Sequence, residues 1–245
     1  KVVGYCSTDW VMIDGEVVSE GDLSGPNGNR TVMQNPKVDV AVLEVARGGI
    51  VKRGLATSNV GGAVVMNVSE DHLGVNGIDS VADLALAKFT VQQAVRPGGH
   101  NVVNLDDELS HSFIDDLPRS KAFFSQHLAE SELLSHLKDP EDYASFVQDG
   151  AFYVYRHGEK QHIAAIDDVD LTYKGLAKHN IENVLAAICL SLELGRSYAE
   201  ITAGLLAFKN DENNQGRFNL FDVKGSKILV DYGHNLASVD NMLKF

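Results

Sequence analysis

A chain of 245 residues, 44% hydrophobic and 22% charged, is long enough for one large globular domain or two small ones, with an ordinary soluble composition. Its 34 acidic against 21 basic residues give a formal net charge of −13, which argues against a nucleic-acid surface and against anionic membranes, while cations would be drawn in. No apolar run is long enough to cross a bilayer and no charged-then-apolar leader opens the chain; Cys6 and Cys189 lie in apolar segments and read as buried thiols of a cytoplasmic protein, one disulfide staying compatible with the sequence.

Val2 to Tyr5 is predicted as a strand, followed by Ser7-Thr8-Asp9 and a hairpin over Val11 to Val18 turning at Asp14-Gly15. Asp22 to Asn29, rich in Gly, Pro and Asn, reads as loop. Val38 to Val45 (VDVAVLEV) is near-continuously apolar, as in a strand buried on both faces, and Arg47-Gly48-Gly49 reads as a turn. Val64 to Val68 and Asn101 to Leu105 repeat the apolar pattern. Between them a helix is expected, with Val81, Leu84, Ala85, Val91 and Val95 at helical spacing, Ser80 and Asp83 as its cap and Pro97-Gly98-Gly99 as its stop. Strands alternating with helices predict an α/β fold with a mostly parallel sheet flanked by helices.

Further along, a short strand is expected at Ala122 to Phe124 and a helix near Glu130 to Leu137. Tyr143 to Ile166 changes character and reads as a small antiparallel meander, turning at Asp149-Gly150 and His157-Gly158. Helices follow over His179 to Leu194, closed by Gly195, and over Tyr198 to Phe208. Lys209 to Gly216 is polar and reads as a linker. Phe218 to Val223 and Lys227 to Val230 pair about Lys224-Gly225, and a short helix then begins.

Ligands in open parallel sheets sit beyond the carboxyl ends of the strands. At that end the apolar segments discharge into Glu44, into Glu70, Asp71 and His72, into Asn104, Asp106 and Asp107, and into Asp231 and His234. Carboxylates with imidazole at one rim suit a divalent cation together with phosphate. Lys88 falls on the apolar stripe of its helix, four residues after Leu84. Either its stem snorkels along the core, or it converges with His72 on a site above the sheet. The phosphate-loop pattern G-x-x-x-x-G-K-[ST] is absent from these residues. The residues alone thus describe a metal-associated α/β enzyme with its substrate open.

The ordered motifs LEVARGGI (containing Glu44), NVSEDHLG at 67–74, the Lys88 helix, VNLDD at 103–107, KHNIENVLAA at 178–187, GRFNLF at 216–221 and DYGHN at 231–235 together resemble the Mur ligase family over nearly the whole chain. LEVARGGI and GRFNLF are most similar to the Mur-ligase-like part of the cyanophycin synthetase branch. The resemblance implies an ATP-dependent acid–amino acid ligase that phosphorylates a carboxylate and lets an amine attack the acyl phosphate. For that branch, arginine would be joined to an aspartate side-chain carboxylate of a poly-aspartate backbone, as in cyanophycin. It implies magnesium bound by Glu44, His72 and Lys88, the lysine as a carbamate; adenine held by Asn180 and Asn183; and Arg217, Asp231 and His234 at phosphate or ribose. Ser7-Thr8-Asp9 resembles a threonine-rich segment of the family, but Trp10 stands where glycine is expected and leaves Thr8 and Asp9 without a settled role; Gln215 stands where proline often precedes GRFN.

The resemblance further implies a central ATP-binding domain over residues 1–208 without its phosphate-loop segment, a linker at 209–216 and the start of a C-terminal ligase domain at 217–245. A fragment of that kind is expected to be inactive by itself. Three other readings stay open: a muramyl-peptide or folylpolyglutamate-type ligase, a non-catalytic assembly or regulatory relative with unmodified Lys88, and a metal-dependent hydrolase. Self-association is left open.

Overall fold

Four strands, β1 (Val3–Cys6), β2 (Trp10–Ile13), β3 (Glu16–Glu20) and β4 (Val40–Leu43), form a sheet in the order β3-β2-β1-β4. β1 pairs antiparallel with β2 and parallel with β4, so the carboxyl ends of β1 and β4 lie side by side. Helix α1 (Pro26–Gln34) covers one face, where Cys6, Val11, Ile13 and Val32 are buried together. The computed structural model describes residues 1–71 and 73–245. It divides into two units, Lys1–Asn101 with Ser112–Arg119, and Val102–His111 with Ser120–Phe245.

Two expectations for this sheet are corrected. The segment read as loop contains the first turn of α1: Pro26 occupies a helix-start position, where its missing N–H costs nothing. Gly28 follows because a Cβ there would lie 2.0 Å from the Leu23 carbonyl oxygen, so the helix can approach only with glycine. The strand expected to be buried on both faces has a wet one, with Val42 of β4 47% exposed, because α1 covers a single face and β4 is the sheet edge.

Beyond β4 the first unit continues with α2 (Arg47–Arg53), β5 (Val60–Val65), α3 (Val81–Phe89) and β6 (Val95–Asn104), whose last residues enter the second unit. Arg47-Gly48-Gly49 opens α2 rather than forming an isolated turn, and Gly54 ends that helix at φ 69°. The expected capping box is present: Ser80 accepts from the Asp83 N–H, and the Asp83 carboxylate accepts from the Ser80 N–H. The helix stops earlier than expected, tightening into a 3-10 turn at Thr90–Ala94, so Val91 and Val95 lie outside it. Pro97-Gly98-Gly99 lies inside β6, and a Cβ on Gly99 would sit 2.1 Å from the Gly61 carbonyl oxygen, which explains the glycine there. Phe89 and Phe113 stack at 4.2 Å and close this unit's interior.

After the short helix α4 (Glu108–Ser112), the second unit holds β7 (Ser120–Ser125), α5 (Glu130–Leu134) and the meander β8 (Tyr143–Gln148), β9 (Ala151–Arg156) and β10 (Glu159–Ala165). β7 runs parallel to β8, and β8, β9 and β10 are antiparallel, as expected. Helix α6 (Lys178–Glu193) packs on the face of this sheet that carries Tyr143 and Ser145, and the Tyr143 hydroxyl donates to the Cys189 carbonyl at 2.9 Å. Polar bonds sew the two together: Ser145 Oγ donates to the Leu185 carbonyl at 2.9 Å, and the Tyr143 hydroxyl lies 2.7 Å from the Glu193 carboxylate. The chain ends with α7 (Tyr198–Ala207), α8 (Asn210–Asn213), the antiparallel pair β11 (Asn219–Val223) and β12 (Ser226–Val230), and α9 (Leu236–Lys244). Cys6 and Cys189 are free and buried. Among the described residues, no helix is long and apolar enough to cross a membrane.

Candidate active site

In the first unit, parallel pairing of β1 with β4 delivers Glu44 to the carboxyl end of the sheet, where it is exposed. Its backbone is fixed: its N–H donates to the Cys6 carbonyl at 3.3 Å, and its carbonyl accepts from Asn29 Nδ2 at 2.9 Å. Its carboxylate is held by Thr8, whose N–H donates to Oε2 and whose hydroxyl donates to Oε1, both at 3.0 Å. Asn29, 2% exposed, also reaches Cys6 Sγ at 3.0 Å. Sequence reasoning missed Asn29 because it lies in the Gly/Pro/Asn stretch read as loop. The available signal was Pro26 opening a helix three residues upstream.

Lys88 leaves α3 partly buried, beside buried Leu84, Ala85 and Phe89. Its Nζ donates to the Asn67 carbonyl at 3.2 Å. Asn67 lies in the loop beyond β5, the segment that carries Glu70 and Asp71. The helix thus turns its lysine toward the motif loop rather than along the stripe into open solvent. His72 lies outside the described residues. The Glu44 carboxylate is suited to a hard cation, whereas Lys88 in its ammonium form offers only donors. Among the described residues, no group of three His, Cys, Asp or Glu side chains gathers in metal-binding geometry.

The second unit carries the other five candidates. Asn180, at the start of α6, is 3% exposed; its Nδ2 donates to the Leu171 carbonyl at 2.8 Å and its Oδ1 accepts from Asn183 Nδ2 at 3.1 Å. The pair therefore does not cap the helix, whose capping position is Ala177 without a side-chain bond. Asn180 anchors the turn before α6, and Asn183 is exposed beside a small apolar cavity of about 150 Å³ lined by Val169, Leu171, Val184 and Phe208.

Asp231 joins two motifs. One carboxylate oxygen accepts from the Phe218 N–H at 2.8 Å and the other from the Gly233 N–H at 2.6 Å, tying GRFN to DYGHN. Phe218, at φ 55°, is 3% exposed and meets His179 with ring centroids 4.4 Å apart. Burial pushes the His179 imidazole pKa down, partly opposed by the Asp231 charge. Arg217 lays its guanidinium over the Tyr232 ring, 4.4 Å from the centroid, and His234 packs edge-on against the same ring with Nδ1 3.3 Å from the Tyr232 carbonyl oxygen. Tyr173 and Asn210 complete the arrangement: Asn210 Nδ2 donates to the Tyr173 hydroxyl and the Phe218 carbonyl, each at 2.8 Å. These two were not identified from sequence, because Asn210 opens a segment that reads as a polar linker.

A nearby polar group on α6 involves Glu182, whose carboxylate accepts from Gln126 Nε2 at 2.9 Å. Burial raises its pKa, with Asp106 and Asp107 acting in the same direction and the Gln126 bond against it.

Comparisons with known proteins agree with this architecture. Residues 18–191 match the sequence profile described as the Mur ligase middle domain. A cyanophycin synthetase from Nostoc sp. is 36% identical over 241 residues, covering 98% of this chain and 27% of that protein. A UDP-N-acetylmuramoyl-L-alanyl-D-glutamate–2,6-diaminopimelate ligase from Synechocystis sp. is 26% identical over 204 residues, covering 83% of this chain and 38% of that protein. A crystal structure of MurF from Acinetobacter baumannii is similar in fold, with a TM-score of 0.56 at 19% identity, covering 86% of this chain and 43% of that one. The chain thus spans about a quarter of the cyanophycin synthetases it matches (27% for the Nostoc protein).

Proposed function

The chain belongs to the Mur ligase family, and from that premise we propose that it is the central part of an ATP-dependent acid–amino acid ligase of the cyanophycin synthetase kind. The reaction is phosphorylation of a carboxylate by ATP, followed by attack of an amine on the acyl phosphate. The amine is arginine and the carboxylate an aspartate side chain of a poly-aspartate acceptor. The protein works in the cytoplasm, and residues 209–216 lead from the central domain into a C-terminal ligase domain.

Glu44, His72 and Lys88 would hold Mg2+, with the neutral Lys88 amine adding to carbon dioxide and releasing a proton to give the carbamate. A bound Mg2+ cancels charge on the transferring phosphoryl oxygens and aligns donor with acceptor. The observation that carries this reading is the position of the Lys88 amine, 3.2 Å from the Asn67 carbonyl in the motif loop. An amine returned to that loop from a largely apolar helix face is placed to become an anionic ligand. The nucleotide falls to the second unit's residues. Asn183 would meet adenine, with Asn180 bonded to its side-chain amide. Arg217, laid over Tyr232, would present a planar fork to phosphate. Asp231 and His234 would serve ribose and phosphate, Asp231 fixing the backbone of both motifs.

The test uses the complete enzyme: phosphate release from ATP is followed with arginine and an aspartate-rich peptide. The expected result is release that requires both, with one amide formed per phosphate. Release that ignores arginine but responds to a UDP-muramyl peptide and its amino acid supports the muramyl-ligase reading, which the diaminopimelate ligase similarity favours second. Turnover without ATP overturns both.

A further inference from the structure

We propose that Thr8 is the positioning residue for the Glu44 carboxylate, locking it in the orientation in which it meets a divalent cation; this rests on the reading of Glu44 as a cation ligand. An exposed glutamate ordinarily samples many rotamers, and a metal ligand must be ordered before or during binding. Here one residue supplies two donors to one carboxylate: the Thr8 N–H bonds Oε2 and the Thr8 hydroxyl bonds Oε1, both at 3.0 Å. Two bonds to two oxygens fix the carboxylate plane as well as its position, and each oxygen keeps acceptor capacity for a cation.

Thr8 is itself held from several sides. Ser7 Oγ accepts from the Asp9 N–H at 3.2 Å and the Trp10 N–H at 3.3 Å, and the Ser7 N–H donates to the Trp10 carbonyl at 2.9 Å. The Leu23 N–H bonds the Ser7 carbonyl at 3.0 Å and the Gly21 N–H bonds the Asp9 carbonyl at 2.8 Å, so the turn is pinned to the segment after β3. Trp10 contributes through Nε1, which donates to the Tyr5 hydroxyl at 3.3 Å. The tryptophan that departs from the family pattern thus braces the turn carrying Thr8 without taking its place beside Glu44.

The experiment is a double-mutant cycle on the complete protein, reading Mn2+ affinity by electron paramagnetic resonance with the metal alone, and folding by thermal melting. Thr8→Val removes the hydroxyl donor and keeps the N–H; Thr8→Ser keeps both. Glu44→Gln weakens Mn2+ binding if Glu44 is a ligand. The expected result is about tenfold weaker binding for Thr8→Val, Thr8→Ser within about twofold of the parent, and little further loss when Thr8→Val is added to Glu44→Gln. Unchanged affinity in Thr8→Val overturns the positioning role while leaving Glu44 as ligand. Equal loss in Thr8→Ser and Thr8→Val also overturns it, as does full additivity in the Glu44→Gln background, which would make Thr8 a ligand in its own right. Unchanged affinity in Glu44→Gln overturns the ligand reading together with the proposal.

Discussion

At the scale of single residues, the site works by restraint. Glu44 is bonded at its N–H, its carbonyl and both carboxylate oxygens, and Asp231 spends its two oxygens on two backbone N–H groups from different motifs. Glu44→Gln and Lys88→Ala in the complete enzyme are expected to lower kcat/KM on the order of a thousandfold, measured as ATP-dependent amide formation. Burial lowers the pKa of His179, and burial with the neighbouring His111 lowers that of His136, both from an ordinary 6.5. A folded-state pKa below the unfolded one means that the stabilising contribution is complete above pH 6.5 and is lost as pH falls through the folded value. Thermal unfolding followed against pH should therefore show the melting temperature dropping below that point, less steeply in His179→Gln. The Cys189 thiol, pushed up to about 12 by burial, should stay unreactive toward thiol reagents in the native protein. Glu44, Lys88, Asn180 and Asp231 could be singled out from sequence because each interrupts an apolar pattern or belongs to an ordered motif. Asn29, which holds the Glu44 carbonyl, could not, and Thr8 was legible only as part of a threonine-rich segment without a settled role, because a hydrogen bond between distant segments leaves no local periodicity.

At the scale of elements, caps and close approaches decide which segments fold as expected. Ser80 and Ser197 each complete a capping box, so Ser80→Ala and Ser197→Ala should each cost about 1 kcal/mol in urea unfolding. Ser80→Ala carries an additional consequence, since fraying α3 loosens the helix that aims Lys88. Gly28→Ala should cost about 3 kcal/mol, because its Cβ would meet the Leu23 carbonyl oxygen. The capped helix, the meander and the terminal hairpin were legible because their signals are local: a serine with an acid three residues on, and Asp-Gly, His-Gly and Lys-Gly turns between alternating strands. The start of α1 was not, since its Gly28 serves the close approach of the helix to the Leu23 carbonyl and only looks like loop composition. Pro97-Gly98-Gly99 misled for the same reason, its Gly99 being required by the approach of β5 to β6. The apolar run at Val38 to Val45 promised burial on two faces, but apolar sequence does not say whether a second layer exists, and α1 packs on one face while Val42 stays 47% exposed.

At the scale of the whole molecule, the net charge of −13 suits the proposed ligands, a metal and a cationic amino acid. On the β11–β12 pair, cross-strand register places Phe221 with Ile228, and alternation adds Val223 and Val230 to the same face, each more than two-fifths exposed. Leu236 and Leu243 of α9 are exposed as well. The 245-residue segment alone should accordingly bind a hydrophobic dye and self-associate on size-exclusion chromatography, and Phe221→Glu with Ile228→Lys should reduce both. The central claim, that a lysine on an apolar helix face becomes an anionic metal ligand beside Glu44, is tested most directly by carbon-13 NMR of the complete enzyme equilibrated with labelled bicarbonate. The expected spectrum contains a carbamate carbon that disappears in Lys88→Ala and broadens on addition of Mn2+. A spectrum without that carbon, or with one indifferent to Mn2+, would contradict the claim.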